Sequence, residues 1–118
     1  MEIFTGLAAN PDASKEMRDS ARYRAAKVHE KLGENDQGID IYVDIVYDYE
    51  IDAQSGAVRD WYYFARSGYD AARLLLLAGK DEEAARIYER LARSGIPTAE
   101  EARARAEEIR SHRREEPK

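Results

Sequence analysis

Residues 39–52 read IDIYVDIVYDYEID, and the secondary structure of this stretch decides the fold class. Apolar and mostly acidic residues alternate along it, which is the pattern of a half-buried β-strand. However, its 14 residues exceed the usual length of a strand, and no turn residue divides it into a hairpin. Tyr42 and Val46 would also lie on the polar face of a strand. We therefore predict a helix and keep the strand as the alternative.

The helical interpretation places an acidic stripe on one side of this helix. Aspartates recur every four residues, at Asp36, Asp40, Asp44, Asp48 and Asp52. A divalent cation or a basic protein surface would suit such a stripe, but carboxylates spaced along a straight helix cannot all converge on one ion. We expect a solvated helix face. The residues that then face the core are Ile39, Tyr42, Val43 and Val46.

Glycines divide the rest of the chain into further helices, which are predicted to end at Gly33, Gly56, Gly79 and Gly95. We predict a single all-α domain over residues 1–118. It comprises a partial repeat at 1–10, a helical hairpin at 14–55, a second hairpin at 58–95, a capping helix at 98–112 and a tail at 113–118. In the first helix, the predicted apolar positions are Met17, Ala21, Ala25, Val28 and Leu32.

Polar residues mark the predicted helix starts in the second half of the chain. A helix is expected from about Val58, after Gly56. Asp81 is a suitable N-cap for the next helix. Thr98 and Glu101 have the spacing of a capping box at the start of the last one, which is polar nearly all round.

The composition excludes several classes of protein. The absence of cysteine excludes a disulfide framework and a thiolate metal site, and it leaves the cellular location open. The net charge of −5, from 24 acidic and 19 basic residues, argues against a nucleic-acid partner. The longest apolar run, at residues 74–78, is far too short to span a membrane.

Residues with catalytic potential form no recognisable site. His29 and His112 lack the spacing of a zinc site or a Glu-x-x-His motif. The pairs Glu82-Glu83, Glu100-Glu101 and Glu107-Glu108 do not complete a Glu-Glu-x-x-Glu pattern. A nucleophile elbow and a phosphate-binding glycine loop are both absent. We therefore expect no enzymatic activity, no metal and no cofactor. The alternative is a small all-helical enzyme that uses carboxylates with a metal.

Four consecutive aromatic residues, at positions 61–64, cannot all be buried against one neighbouring helix. We expect at least one of them to face outward. The simplest interpretation packs two of the rings in the core, and the functional one is an exposed aromatic anchor for a partner.

One spaced pattern occurs twice. Its first copy is Ala26, Gly33, Gly38, Tyr42 and Ile45, and its second is Ala72, Gly79, Ala84, Tyr88 and Leu91. The offsets of 7, 5, 4 and 3 residues are identical. Small residues let two antiparallel helices approach closely while the aromatic ring fills the gap. The pattern therefore predicts two copies of the same helical hairpin.

The second copy resembles the tetratricopeptide repeat. Ala72-x2-Leu75, Gly79, Ala84-x3-Tyr88 and Pro97 fall where that family has its small, aromatic and proline positions, although the two copies lie 46 residues apart instead of the family's usual 34. The resemblance implies hairpins stacked as a short right-handed solenoid. It also implies a non-catalytic scaffold that binds a protein or peptide in a concave groove lined by the first helix of each hairpin.

By this resemblance, the groove is lined by basic and aromatic side chains. They are Tyr23, Lys27, Lys31, Arg66, Tyr69, Arg73 and Arg103. Such a lining would favour an acidic protein or peptide. The opposing interpretation is that Arg66 and Arg73 pair with the acidic stripe of the preceding helix.

The first ten residues match part of the repeated pattern. Ile3-Phe4 and Leu7-Ala8 have the spacing of Ile87-Tyr88 and Leu91-Ala92. We therefore expect the chain to belong to a longer array and to form a homodimer through this stub. A structural end-cap that self-associates is a further alternative.

Overall fold

The computed structural model describes residues 14–56 and 60–115, and all regular secondary structure in these ranges is helical. The helices are α1 (Ser14–Lys31), α2 (Asn35–Gln54), α3 (Tyr62–Leu77), α4 (Asp81–Arg93) and α5 (Ala99–Glu115). Residues 39–52 lie within α2, so the helical prediction is confirmed and the fold class is all-α. None of these five helices has the length and hydropathy that crossing a membrane requires. The predicted partial repeat at 1–10 lies outside the described residues.

The predicted glycine boundaries are confirmed. Gly33, Gly56, Gly79 and Gly95 all have positive φ angles, between 77° and 84°. The same two hydrogen bonds close α1 and α3: the glycine N–H donates to the carbonyl three residues earlier at 3.0 Å, and the next N–H donates to the carbonyl five residues earlier at 2.8 Å. This is a Schellman motif, in which a residue without a side chain adopts the left-handed conformation most easily.

The chain divides into two compact units, residues 1–67 and 68–118, and the boundary falls within α3. In the first unit, α1 and α2 pack against each other. Lys15 pairs with Asp52 at 3.1 Å and Arg22 pairs with Asp48 at 2.9 Å, so the start of α1 lies beside the end of α2. The two helices are therefore antiparallel, as predicted for this hairpin.

The core of the first unit is formed by α1, α2 and the first turns of α3. Tyr42, Ile45 and Val46 are fully buried, and the ring of Tyr49 stacks on that of Phe64 with centroids 4.1 Å apart. Val43, expected in the core, is only half-buried. The helix is thus rotated slightly from the predicted orientation, towards Ile45.

The predicted apolar face of α1 is wrong at its C-terminal end. Val28 and Leu32 are 55% and 67% exposed, whereas Asp19 and Tyr23 are buried. Arg22 pairs with Asp19 at 2.6 Å and with Asp48 of α2 at 2.9 Å, and the Tyr23 ring packs against aromatic rings of other helices. Burial lowers the pKa of Arg22, but its hydrogen bonds to carboxylates outweigh burial, so the pKa lies above its ordinary value.

The start of α3 also differs from the prediction. The helix begins at Tyr62 instead of about Val58, because Asp60 Oδ1 accepts the N–H of Tyr62 at 2.8 Å. The predicted cap of α4 is wrong as well. Lys80 occupies the cap position without a side-chain hydrogen bond, and Asp81 is the first helical residue. There its negative charge interacts favourably with the helix dipole.

In the second unit, α4 packs against both α3 and α5. Its apolar residues are all buried: Ala84, Ala85, Ile87, Tyr88, Leu91 and Ala92. On one side, α3 approaches so closely at Gly68 that a Cβ atom there would lie 2.7 Å from Leu91 Cδ2. On the other side, α5 contributes the buried Ala102 and Ala106. Small residues therefore set the helix spacing on both sides of α4.

Polar contacts join α5 to its neighbours. Arg110 pairs with Glu82 at 2.8 Å and with Glu89 at 2.9 Å, and these hydrogen bonds hold the pKa of Glu89 below its usual value. The predicted capping box does not form, because Thr98 Oγ1 is buried without a hydrogen-bond partner among the described residues. The phenol of Tyr69 donates instead to the Thr98 carbonyl at 3.1 Å.

The variant Gly68→Ala tests the close approach of α3 to α4. Overpacking against Leu91 costs on the order of 1–3 kcal/mol, whereas replacing a helical glycine with alanine gains at most about 1 kcal/mol. We therefore expect a lower free energy of unfolding in urea titrations. In the double variant Gly68→Ala/Leu91→Val, the loss of unfolding free energy should be smaller than the sum of the losses in the two single variants. A higher stability of Gly68→Ala alone would contradict this packing.

Glu89→Gln tests the Arg110 contact through its pH dependence. Because the folded-state pKa of Glu89 is lowered, its stabilisation is present above the unfolded pKa near 4.3 and is lost as the pH falls through the folded pKa. For a largely exposed ion pair, we expect the melting temperature to fall by about 2–5 °C at pH 7 and the difference from wild type to vanish near pH 2. Glu107→Gln, an exposed carboxylate on α5, is the control. A difference that persists in acid would contradict the assignment.

Candidate functional site

Three of the predicted groove residues lie together in the first unit. Tyr23 is 8% exposed, and Lys27 Nζ lies 5.5 Å from the centroid of its ring. Arg66 Nε donates to the Tyr23 hydroxyl at 3.2 Å, and its Nη1 donates to the Tyr62 hydroxyl at 3.1 Å. Lys27 and Arg66 thus both lie close to the ring of Tyr23, and a cation beside an aromatic ring is stabilising.

Further contacts bind this cluster into the first unit. The rings of Tyr42 and Tyr63 lie 5.5 Å and 5.7 Å from that of Tyr23, and the Tyr42 hydroxyl donates to Glu30. Glu30 also pairs with Lys27 at 3.5 Å. Side chains of the unit itself therefore cover most of the Tyr23 ring, and its predicted role in a groove stays a prediction.

The acidic stripe on α2 is partly used within the first unit. Asp48 and Asp52 pair with Arg18, Arg22 and Lys15 of α1. The remaining aspartates, at positions 36, 40 and 44, are exposed. Arg66 contacts the hydroxyls of Tyr23 and Tyr62, and Arg73 pairs with Asp70 on its own helix at 3.1 Å.

The aromatic run at 61–64 is divided between core and surface. Phe64 is buried, Tyr63 is half-buried, and Trp61 and Tyr62 are exposed. The expectation that at least one ring faces outward is confirmed. A binding role for the exposed rings stays a prediction.

The predicted residues Tyr69 and Arg73 line an open cleft of about 610 Å³ in the second unit. Tyr88 of α4 also lines the cleft, and it lies against Tyr69 with ring centroids 5.9 Å apart. The two sides are formed by α3 and α5. Their other lining residues are Asp70, Leu76, Leu77, Glu101 and Arg105.

A second cavity of about 300 Å³ continues this cleft towards the end of α5. The two cavities share Leu76, Tyr88 and Arg105. The first cavity is lined by residues 69–77 of α3 and by two residues of α5, and the second by one residue of α3 and by residues 105–112 of α5. The second cavity adds Asp81, Glu108, Ile109 and His112.

The lining of the cleft is balanced in charge and apolar in part. Arg73 pairs with Asp70, and Arg105 pairs with Glu101 at 3.5 Å. Both arginine side chains remain about half exposed. Burial raises the pKa of Tyr88 above its ordinary value. The cleft therefore offers hydrogen-bond donors beside apolar surface.

The sequence alone did not identify the apolar residues of the cleft. Leu76 and Leu77 are 37% and 72% exposed at the end of α3. A signal was present, because four consecutive leucines on a helix cannot all face one neighbour, and the buried pair is Leu74 and Leu75. Which two face outward depends on the packing at Gly68, which the pattern does not specify.

Lys31 and Arg103 lie apart from these groups. Lys31 is exposed at the last position of α1, and Arg103 pairs with Glu100 on the surface of α5. His29 Nδ1 lies 2.7 Å from a carboxylate oxygen of Glu34. Across residues 14–56 and 60–115, no three histidine, aspartate or glutamate side chains are grouped in a way that could hold a metal ion.

Comparisons with known proteins identified no relative of this chain. No family model, curated protein or solved structure matches the chain.

Proposed function

We propose that this chain is a non-catalytic helical module that binds a segment of another protein, and that the cleft of the second unit is its binding surface. The observation that carries the proposal is the exposure of Leu76 and Leu77 beside a cleft with Tyr69 and Tyr88 in its lining. Large apolar side chains that are exposed next to aromatic rings and rimmed by charges are typical of protein-binding surfaces.

The shape of the cleft favours a helical segment over a small molecule. It is open and bounded by α3 and α5, whereas small-molecule sites enclose most of the ligand. An amphipathic helix can place side chains one turn apart into such a groove. The partner's apolar residues would contact Leu76, Leu77 and Ile109, and a carboxylate on the partner could reach Arg73 and Arg105, since each guanidinium has five N–H donors.

Matching contacts in the two halves of the chain support a repeat of the tetratricopeptide kind. Tyr23 and Tyr42 lie with ring centroids 5.5 Å apart and planes inclined by 52°. Tyr69 and Tyr88, each 46 positions later, lie 5.9 Å apart at 55°. The identical Schellman motifs at the ends of α1 and α3 have the same separation. Hairpins stacked as a short right-handed solenoid, with the cleft on the groove side, are part of this proposal.

Binding is better supported than catalysis by metal and carboxylates. The carboxylates at the first part of the cleft, Asp70 and Glu101, are paired with arginines instead of converging on a common point. Metal binding and general acid–base catalysis both require carboxylates that converge on an ion or a substrate.

A selection experiment tests the proposal. A displayed library of amphipathic helical peptides is selected on the full chain, and the selected peptides are titrated into ¹⁵N-labelled protein. We expect chemical-shift changes at residues 69–77 and 101–112, and an affinity at least tenfold lower for Leu77→Asp. The matched control is Ile51→Asp, which introduces the same charge at an exposed position of α2 and should leave the affinity unchanged. No selected peptide, or shift changes concentrated elsewhere, would contradict the proposal.

A further inference from the structure

An exposed apolar ridge with basic neighbours lies on α1. Val28 and Leu32, 55% and 67% exposed, are one turn apart on this helix. Arg24 and Lys31, also exposed, lie on the same side at helical spacing. We call these four residues the α1 ridge. Of these four, Val28 and Leu32 are the residues that sequence periodicity assigns to the core and that the structure leaves exposed.

The second unit carries the complementary arrangement at one end of its cleft. Leu76, Leu77 and Ile109 provide apolar surface, and the acidic Asp81 and Glu108 line the cavity beside them. We call these five residues the apolar end of the cleft. Arg105 also lines this cavity, but it pairs with Glu101 at 3.5 Å, and the two carboxylates of Asp81 and Glu108 outnumber it there. An apolar ridge with positive charges and an apolar cleft with an excess of acidic side chains therefore occur in the same chain.

We propose that the α1 ridge of one copy of this chain occupies the apolar end of the cleft in a second copy. The inference rests on the proposed function of the cleft and names its partner. Val28 and Leu32 contact the leucines and Ile109, while Arg24 and Lys31 face Asp81 and Glu108. The lengths agree, because residues 24–32 of a helix span about 12 Å and residues 105–112 of α5 span about 10 Å.

Two features distinguish this pairing from ordinary exposed leucines. Single exposed apolar side chains are normal on protein surfaces, but here each surface presents at least two of them in adjacent positions. The charges beside them also have opposite signs, which orients the approach and disfavours the pairing of two ridges or of two clefts.

The contact is heterologous, since the ridge and the cleft are different surfaces. A heterologous contact either closes the copies into a ring or leaves one ridge and one cleft unused, from which association continues as the concentration rises. The surface is small compared with standard protein interfaces, and we expect a weak, concentration-dependent association.

The test uses two variants that each disable one side. Leu32→Asp places a charge on the apolar surface of the ridge, and Leu77→Asp places a charge on the apolar surface of the cleft. Both positions are exposed, so both variants should fold, and far-ultraviolet circular dichroism checks this. Sedimentation velocity between 10 µM and 1 mM, concentrations on the order needed for a weak interface, should show the wild-type mass rising with concentration. We expect each variant alone to stay monomeric and an equimolar mixture of the two to form a heterodimer and nothing larger.

Three results would overturn the inference: a wild type that stays monomeric, a single variant that still associates like the wild type, or a mixture that does not pair. Ile51→Asp is the matched control and should associate normally. If Phe4→Asp abolishes association while Leu32→Asp does not, the N-terminal stub is the interface and the inference is overturned. If helical peptides still bind the cleft while the copies do not associate, only this inference fails and the proposed function stands.

Discussion

The contact of Leu91 with the backbone at Gly68 sets the geometry of the second unit. Because residue 68 has no side chain, α3 comes close enough to α4 for Leu91 to be fully buried. At this separation, Tyr88, one turn earlier on α4, meets the ring of Tyr69 and lines the cleft. A larger residue at position 68 would push the helices apart and separate these rings. The cleft is therefore a consequence of helix spacing.

Each unit contains an equivalent pair of tyrosines, Tyr23 with Tyr42 and Tyr69 with Tyr88, but the residues around the two pairs differ. In the first unit, Tyr63, Lys27 and Arg66 cover the ring of Tyr23, and the result is a stable cation–aromatic cluster. In the second unit, the cleft beside Tyr69 stays open. The difference lies in the helix that follows: α3 begins with aromatic residues after the Asp60 cap, whereas α5 begins with alanine and glutamates. The Tyr23 ring is thus covered by its own unit, whereas Tyr69 lies beside an open cleft.

The sequence predicted the fold class and the glycine boundaries because these depend on local chemistry: helical periodicity and the φ angles that only glycine adopts easily. It did not predict the burial of Asp19 and Tyr23 on α1, because the Tyr23 ring packs against rings of other helices, which the sequence pattern does not specify. For the candidate site, it identified Tyr69 and Arg73 through the resemblance to a repeat family. It missed the exposed Leu76 and Leu77, because the direction in which each leucine faces depends on the packing between helices.

The central claim is that the cleft of the second unit is a protein-binding surface whose partner helix is α1 of another copy. The chain has no cysteine, so Lys31→Cys provides a unique site for a nitroxide spin label on unlabelled protein. This protein is mixed with ¹⁵N-labelled, cysteine-free wild type, and intermolecular relaxation enhancement is measured by NMR. The account predicts selective broadening of the amides of residues 76–81 and 105–112. Broadening confined to other residues, or none at concentrations where the copies associate, would contradict it.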